Sequence, residues 1–379
     1  MNKNIYTTIN LDNLKHNFEY SKSLLKNGVK FCGLAKADAY GHGSIEIAKF
    51  YEEIGVDYIT VARLEEAAEL RKHGIKLPIL LLGYSDDIET ILNLDIEVTI
   101  YSFEIAKLID EFVTNGNLGG KKLKVHIKLD TGMSRLGFFV HDNFESAANK
   151  IEQIYKMPNL EIVGIFTHFS DARDESVTNL QLSKFNKIVE LLESKNITIP
   201  LKHTANSSAL LSRDDAHFNM VRSGIVLFGY DPDGEKNPNL KPVMSFYAMI
   251  INIKTLPKGA RVSYGGVYKT KENEKIATLS IGYADGFLRT QNEPFVLIKG
   301  VKCPVVGRIC MDQCMVKLPF DMDVKIGDYA TIFDENLTVD EVAKNYGTIS
   351  YEVLCMVSRR VPRVYIKNSK IFKMVDYLI

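Results

Sequence analysis

The sequence predicts an α/β protein: a (β/α)8 TIM-type barrel over residues 1–234, followed by a mainly antiparallel β C-terminal domain over residues 235–379. Three observations carry that expectation. Short β-branched runs alternate with amphipathic segments eight times before about residue 230. A polar, Pro/Gly-rich connector, DPDGEKNPNLKP, then interrupts the pattern, and beyond it the runs are almost all strand-like. An open doubly wound sheet would share the alternation, but it would call for a glycine-rich phosphate loop after the first strand. LAKADAYGHG, at that place here, is not G-x-G-x-x-G.

The barrel strands read in order as KFCGLAKA (30–37), YITVAR (58–63), LPILLLG (77–83), DIEVTIY (95–101), KLKVHIKLD (122–130), EIVGIFTHF (161–169), PLKHTAN (200–206) and NMVRSGIVLFG (219–229). Between them SIEIAKFYEEIG, LEEAAELRKHG, SFEIAKLIDEFV, NFESAANKIEQIY and LQLSKFNKIVELLES place apolar residues three and four apart with charges opposite, the pattern of helices covering a core. Gly55, Gly74 and the acidic turn at Asp86–Asp87 punctuate them. After the connector come VMSFYAMIINIKTL, RVSYGG, KIATLSIGYA, PFVLIKG, CPVVGRI, QCMVKLP and DYATIFD, with one helix, TVDEVAKNYG, capped by Thr338 and stopped by a glycine.

Composition narrows the function. Lys+Arg and Asp+Glu are equal at 47 each, so no global field points to nucleic acid or an anionic membrane. No apolar run reaches the roughly 18–20 residues that span a bilayer, and the start, MNKNIYTTINLDNLKHN, lacks a signal-peptide apolar core. Five scattered cysteines suit reduced thiols rather than a disulfide framework, so the expected location is the cytoplasm. Cys310 and Cys314 have no second pair of ligands nearby, and no metal is expected.

Barrel enzymes carry their chemistry at the carboxyl ends of the strands. Those ends hold Lys36, then Lys128 and Asp130 with Arg135 in the following loop, Thr167 and His168, Asn206 and Ser207, and Arg222, Ser223 and Gly224 in the last unit, where barrels often bind phosphate. Singly, each has a bland reading: His168 a core histidine, Arg135 a surface charge, Ser207 a helix cap. Together they describe one rim. A lysine at such a mouth, desolvated near other cations, is a usable nucleophile towards carbonyls. Two chemistries fit it: a lysine aldolase acting on a phosphosugar, or an enzyme of pyridoxal 5'-phosphate (PLP).

Nine stretches, AKADAYGHG, KLDTGMSRLGF, FTHFSDA, ANSSA, VRSGIVLFG, RVSYGGVY, IGYADG, GRICMDQ and ISYEVLC, occur in an order and spacing that resemble the alanine racemase family over essentially the whole chain. The resemblance implies a PLP-dependent isomerase of fold type III. Lys36 would carry the cofactor as a Schiff base. Tyr40, Ser207, Gly224, Ile225 and Tyr351 would hold its phosphate, His168 would lie against the ring, and Arg222 would face the pyridine nitrogen. Arg135 and the backbone N–H of Met311 would take the substrate carboxylate, and Tyr283 and Tyr351 would narrow the entrance. Lys128 matches a lysine that is carbamylated in some members. Ser134 departs from the small residue usual before the arginine.

Lys36 and Tyr264 would be the two opposed bases of racemisation, and a tyrosine, with its reference pKa near ~10, needs positive neighbours for that role. An arginine at the pyridine nitrogen keeps it unprotonated, because arginine does not give up its proton; this disfavours transamination. Tyr264 and Met311 would reach the partner subunit's site in a head-to-tail homodimer. The expected reaction is interconversion of L- and D-alanine, supplying D-alanine for peptidoglycan. The alternatives are a serine or broad-specificity racemase on the same scaffold, a PLP-dependent decarboxylase, which Arg222 opposes, and a PLP-carrying barrel, which would lack the second domain. Gly41 and Gly43 let the backbone pass close to the cofactor, and His42 between them reads as structural.

Overall fold

In the computed structural model, residues 3–116, 122–290 and 292–379 are described. Met1 and Asn2, which the sequence assigns to the barrel domain, lie outside them. All eight expected barrel strands form, as Lys30–Leu34, Tyr58–Val61, Ile79–Leu81, Ile96–Ile100, Leu123–Asp130, Leu160–Phe166, Leu201–His203 and Met220–Ser223. The first seven are each parallel to the next, and the eighth pairs in parallel with the first. The barrel closes between the seventh and eighth strands where Arg222 N–H donates to Ala205 O at 3.0 Å.

Most strand positions are buried on both faces, which is why strands such as Tyr58–Val61 and Ile79–Leu81 read as almost wholly apolar runs. The helix Phe103–Gly116 buries Ala106, Ile109 and Val113, the three- and four-residue spacing seen in its sequence. Helices missed by that pattern also form, among them Leu11–Ser23 and Ser350–Met356. In the first of these, Asn17 is buried and bonds Leu227 O and Lys241 O, with Lys241 N–H bonding back, which pins the connector between the two sheets. Thr338 caps Val339–Tyr346 with a capping box, and Gly347 ends it in the left-handed region, as its sequence signals.

The second sheet runs Val301–Pro304, Phe295–Ile298, Tyr329–Phe333, Met244–Leu256, Ile5–Asn10, Arg363–Lys367, Lys370–Val375. Glu274–Leu279 and Cys314–Leu318 extend it from the long strand Met244–Leu256. It is antiparallel except where Ile5–Asn10 lies parallel to Arg363–Lys367. The N-terminal strand therefore departs from the expected division of the chain: Ile5–Asn10 is an inner strand of the second sheet, not part of the barrel. Thr7 and Ile9 alternate inward, and both neighbouring strands lie far away in sequence.

The first barrel strand ends at Leu34, two residues earlier than Lys36. Immediately after Lys36 the backbone makes one left-handed turn: Ala37, Asp38, Ala39 and Tyr40 all have φ between 52° and 54°. Left-handed backbone costs non-glycine residues about 1–2 kcal/mol each, so the surroundings must hold it. Ala39 N–H bonds Ala35 O at 2.9 Å, Gly41 N–H bonds Ala37 O at 3.0 Å, and Gly43 N–H bonds Asp38 O at 2.9 Å. His42, fully buried and stacked on Phe228, aims Nδ1 at Ala39 O and Tyr40 O, both at 2.9 Å. Two acceptors there require the proton on Nδ1, and burial lowers the pKa of His42 to about 3, so the ring stays neutral.

The two glycines are required by contact as well as by φ. A Cβ on Gly41 (φ +78°) would stand 2.3 Å from Leu354 O, and one on Gly43 (φ +92°) only 1.9 Å from the Tyr365 hydroxyl. Gly43→Ala is expected to cost roughly 2–5 kcal/mol in urea denaturation, overpacking plus left-handed strain. Gly55→Ala, where φ is +86° but nothing stands within 4 Å, should cost only the strain, about 1–2 kcal/mol. Equal losses would mean that contact with Tyr365 is unimportant.

Candidate active site

A cavity of about 210 Å³ opens at the carboxyl ends of the barrel strands. Lys36, Tyr40, Lys128, Arg135, His168, Ser207, Arg222 and Tyr351 line it, with Leu34, Thr60, Leu82, Phe166, Asn206, Ser208 and Pro232 between them. Nine side chains named from sequence, Asn206 among them, thus meet in one place. The left-handed turn makes this possible: it brings Lys36 and Tyr40 onto the same wall. Tyr40 packs its ring 5.4 Å from Phe228 and 5.8 Å from Tyr351, which arrives on the helix Ser350–Met356.

Four of the lining groups are cations, and no carboxylate is among the described lining residues. Burial and then the Arg135 charge push the Lys36 amine below its ordinary pKa. Burial, Arg222 and Arg135 lower Lys128 to about 8. His168 is driven well below the usual histidine range by burial and by the same cations, so it is neutral. A cavity with this balance favours an anionic ligand.

Its floor suits a phosphate. Gly224 N–H donates to Ser207 Oγ at 3.0 Å, and a Cβ on Gly224 would stand 2.7 Å from Tyr40 Oη, so three of the expected phosphate ligands converge on one point that only glycine leaves open. Ile225 follows with its side chain fully buried. The Arg135 loop is shaped by Asp130, whose Oδ1 accepts from Gly132 N–H at 3.1 Å and Ser134 N–H at 2.9 Å. Ser134 has φ +55°, the conformation a glycine would adopt most readily.

Arg222 is buried on the eighth strand and donates to His203 O at 2.7 Å, Thr167 O at 2.9 Å and His203 Nδ1 at 2.8 Å. Sequence reading missed the relay behind it. His203 Nε2 is 2.9 Å from His126 Nδ1, and His126 Nε2 is 2.8 Å from a Glu97 carboxylate oxygen, all buried. The donors set every proton. Arginine can only donate, so His203 Nδ1 accepts and its Nε2–H passes to His126 Nδ1, leaving the His126 Nε2–H for Glu97. Two neutral imidazoles therefore separate a guanidinium from its counter-charge, and burial and Arg222 hold His203 well below the usual histidine pKa. Little in the sequence marks these three, since Lys124, Lys128 and Asp130 share the strand of His126, Lys202 stands beside His203, and Thr99 shares the strand of Glu97. Gln181, also missed, ties the rim together, accepting from Ser170 N–H at 3.0 Å and donating to Thr131 Oγ1 at 3.1 Å.

Tyr264 and Met311 are not brought to this cavity within one chain. They line a separate hollow of about 470 Å³ on the second domain with Ser263, Cys310, Asp312, Gln313 and Met315, and the two places share no residue. Tyr283 borders that hollow through its N–H to Cys310 O at 3.1 Å. Tyr264 is 66% exposed and Met311 52%. Cys314, beside them, is fully buried, and among the described residues no group of three His, Cys, Asp or Glu could hold a metal. Nor is any described helix long and apolar enough to cross a membrane.

Residues 9–232 match the family described as alanine racemase, N-terminal domain, and residues 243–365 match alanine racemase, C-terminal domain. An alanine racemase from Clostridium tetani is 43% identical, covering 99% of this chain and 98% of its own. The solved alanine racemase of Clostridium difficile 630 in complex with cycloserine superposes with a TM-score of 0.93 at 41% identity, covering 100% of both chains. The alanine racemase from Bartonella henselae, solved with covalently bound pyridoxal phosphate, gives 0.86 at 27% identity over 96% of this chain and 100% of that one. With both domain families matched in order and full-length likeness at this identity, the chain belongs to the alanine racemase family, a family of isomerases.

Proposed function

We propose that this chain interconverts L- and D-alanine with pyridoxal 5'-phosphate bound in the barrel cavity. The observation that carries the reading is the meeting of a desolvated lysine, a glycine-floored anion cradle and a buried arginine in one electropositive cavity. The fit is of donor to acceptor. Tyr40, Ser207, Gly224, Ile225 and Tyr351 would hold the phosphate, Lys36 the carbonyl carbon, His168 the ring face and Arg222 the ring nitrogen. When bound, the cofactor supplies delocalisation that acidifies the substrate Cα–H.

Every other part falls to the protein's own groups. Arg222 can only donate, so it leaves the ring nitrogen unprotonated and steers away from transamination. Arg135 and the Met311 N–H orient the substrate carboxylate, and Tyr283 and Tyr351 limit the entrance. Lys36 takes or returns the proton on one face of Cα, and the Tyr264 hydroxyl does so on the other. Since Tyr264 and Met311 line a different hollow from Lys36, the complete site needs a second copy, and the exposed Tyr264, Val267 and Met311 are the surface that a head-to-tail homodimer would cover. Lys128, at about pKa 8, keeps enough free amine to take up carbon dioxide as the carbamate. We place the domain division at 234/235, with the N-terminal strand crossing into the second sheet. A cytoplasmic enzyme supplying D-alanine for peptidoglycan is the corresponding role.

The test is purified protein, PLP and L-alanine in heavy water. D-alanine should accumulate with deuterium at Cα, and no exchange at all would overturn the proposal. Family membership does not favour a serine or broad-specificity racemase; serine turned over well above alanine in a panel of L-amino acids would replace alanine as the substrate.

A further inference from the structure

The left-handed turn that carries Lys36 and Tyr40 is held from outside the barrel. Arg363 begins a strand of the second sheet and is fully buried. Its Nε and one terminal nitrogen both donate to Gly41 O, at 3.1 and 3.0 Å. Its remaining N–H groups go to the carbonyls of Val357, Ser358 and Val361. All five guanidinium donors are thus spent on backbone carbonyls, two of them on the turn. Two residues along the same strand, the Tyr365 hydroxyl donates to His42 O at 2.9 Å and stands where any side chain on Gly43 would have to go. Without these donors the Gly41 and His42 carbonyls would be buried and unpaired, a cost comparable to a lost hydrogen bond each.

A buried charge bonded to backbone alone is a costly device for stability. Its position explains it. Local preference would wind Ala37–Ala39 right-handed, and a right-handed turn would direct Tyr40 away from Gly224. We propose that Arg363 and Tyr365 are positioning residues for the cofactor: they clamp the Gly41 and His42 carbonyls and so hold the left-handed turn that presents Lys36 and Tyr40 to one ligand. The inference rests on the reading that these two residues bind PLP.

Tyr365→Phe removes one hydroxyl and keeps the ring. Arg363→Lys keeps the charge and loses the fork. Tyr329→Phe is the control, deleting a tyrosine hydroxyl that donates to Lys3 O at 2.7 Å in the same sheet but away from the turn. Three measurements are made on each full-length protein: PLP affinity of the unloaded chain, borohydride trapping of PLP on Lys36, and amide hydrogen exchange over residues 36–43 without cofactor. Tyr365→Phe and Arg363→Lys should each weaken PLP binding roughly tenfold or more, reduce trapping, and speed exchange at 36–43 by a similar factor. Tyr329→Phe should change none of these, even if its melting temperature falls as much. Unaltered affinity and exchange in both variants would overturn the clamp, whatever happens to thermal stability. If the unaltered protein takes up no PLP, the proposed function fails, and the exchange measurement alone then decides the clamp.

Discussion

Lys36→Ala is expected to lower alanine racemisation by a factor on the order of 10⁴ or more and to abolish the covalent adduct with PLP. The size reflects the two roles proposed for one amine, the anchor for the cofactor and a base at Cα. Lys36→Arg separates charge from nucleophilicity: it keeps the positive group but offers no free electron pair, so it should be as inactive as the alanine variant. The environment also sets a pH dependence. An amine attacks a carbonyl only when neutral, and burial with Arg135 lowers the Lys36 pKa. The rate of adduct formation should therefore level off below the pH expected for an ordinary lysine near ~10.4. Arg135→Gln removes a charge that opposes protonation, so it should move that plateau to higher pH. A Lys36→Ala protein that still formed the adduct and turned over alanine would remove Lys36 from the site.

Tyr264→Phe should lower racemisation by about 10²–10⁴-fold and do so asymmetrically. With Lys36 intact, one enantiomer should still exchange its Cα–H with heavy water, while conversion to the other enantiomer falls. A carrier of the cofactor has no turnover to lose, so the asymmetry also separates the two classes. Because Tyr264 and Lys36 line different cavities of one chain, the two inactive variants should rescue each other. In the proposed homodimer, a fully exchanged equal mixture of Lys36→Ala and Tyr264→Phe would have half its dimers mixed, each with one complete site, giving about a quarter of normal specific activity. No recovery after confirmed subunit exchange would mean that both residues serve the site from one chain.

Much of this architecture was legible in the sequence because it is written in local periodicity. The alternation of apolar runs and amphipathic segments marked all eight barrel strands, and Thr338 and Gly347 announced the ends of their helix. The rim residues were legible for a related reason: strand ends in such a barrel face one mouth, so Lys36, Lys128, His168 and Arg222 could be grouped before any contact was known. The chain of Glu97, His126 and His203 was harder. Each sits among other polar residues on its strand, so spacing does not single it out, and only the barrel brings the three within hydrogen-bond distance.

By itself, then, the sequence determined the strand and helix alternation and with it the two-part plan, since these depend on side-chain spacing within about twenty residues, while the rim followed from strand ends facing one mouth and from resemblance over the whole chain. Tertiary structure alone decided that Ile5–Asn10 joins the second sheet and that AKADAY turns left-handed. The stretch contains no glycine from Ala35 to Tyr40, and its own preferences are right-handed. Arg363 and Tyr365, more than 300 residues away in the chain, overrule them. Burying the Gly41 and His42 carbonyls would otherwise leave them unpaired.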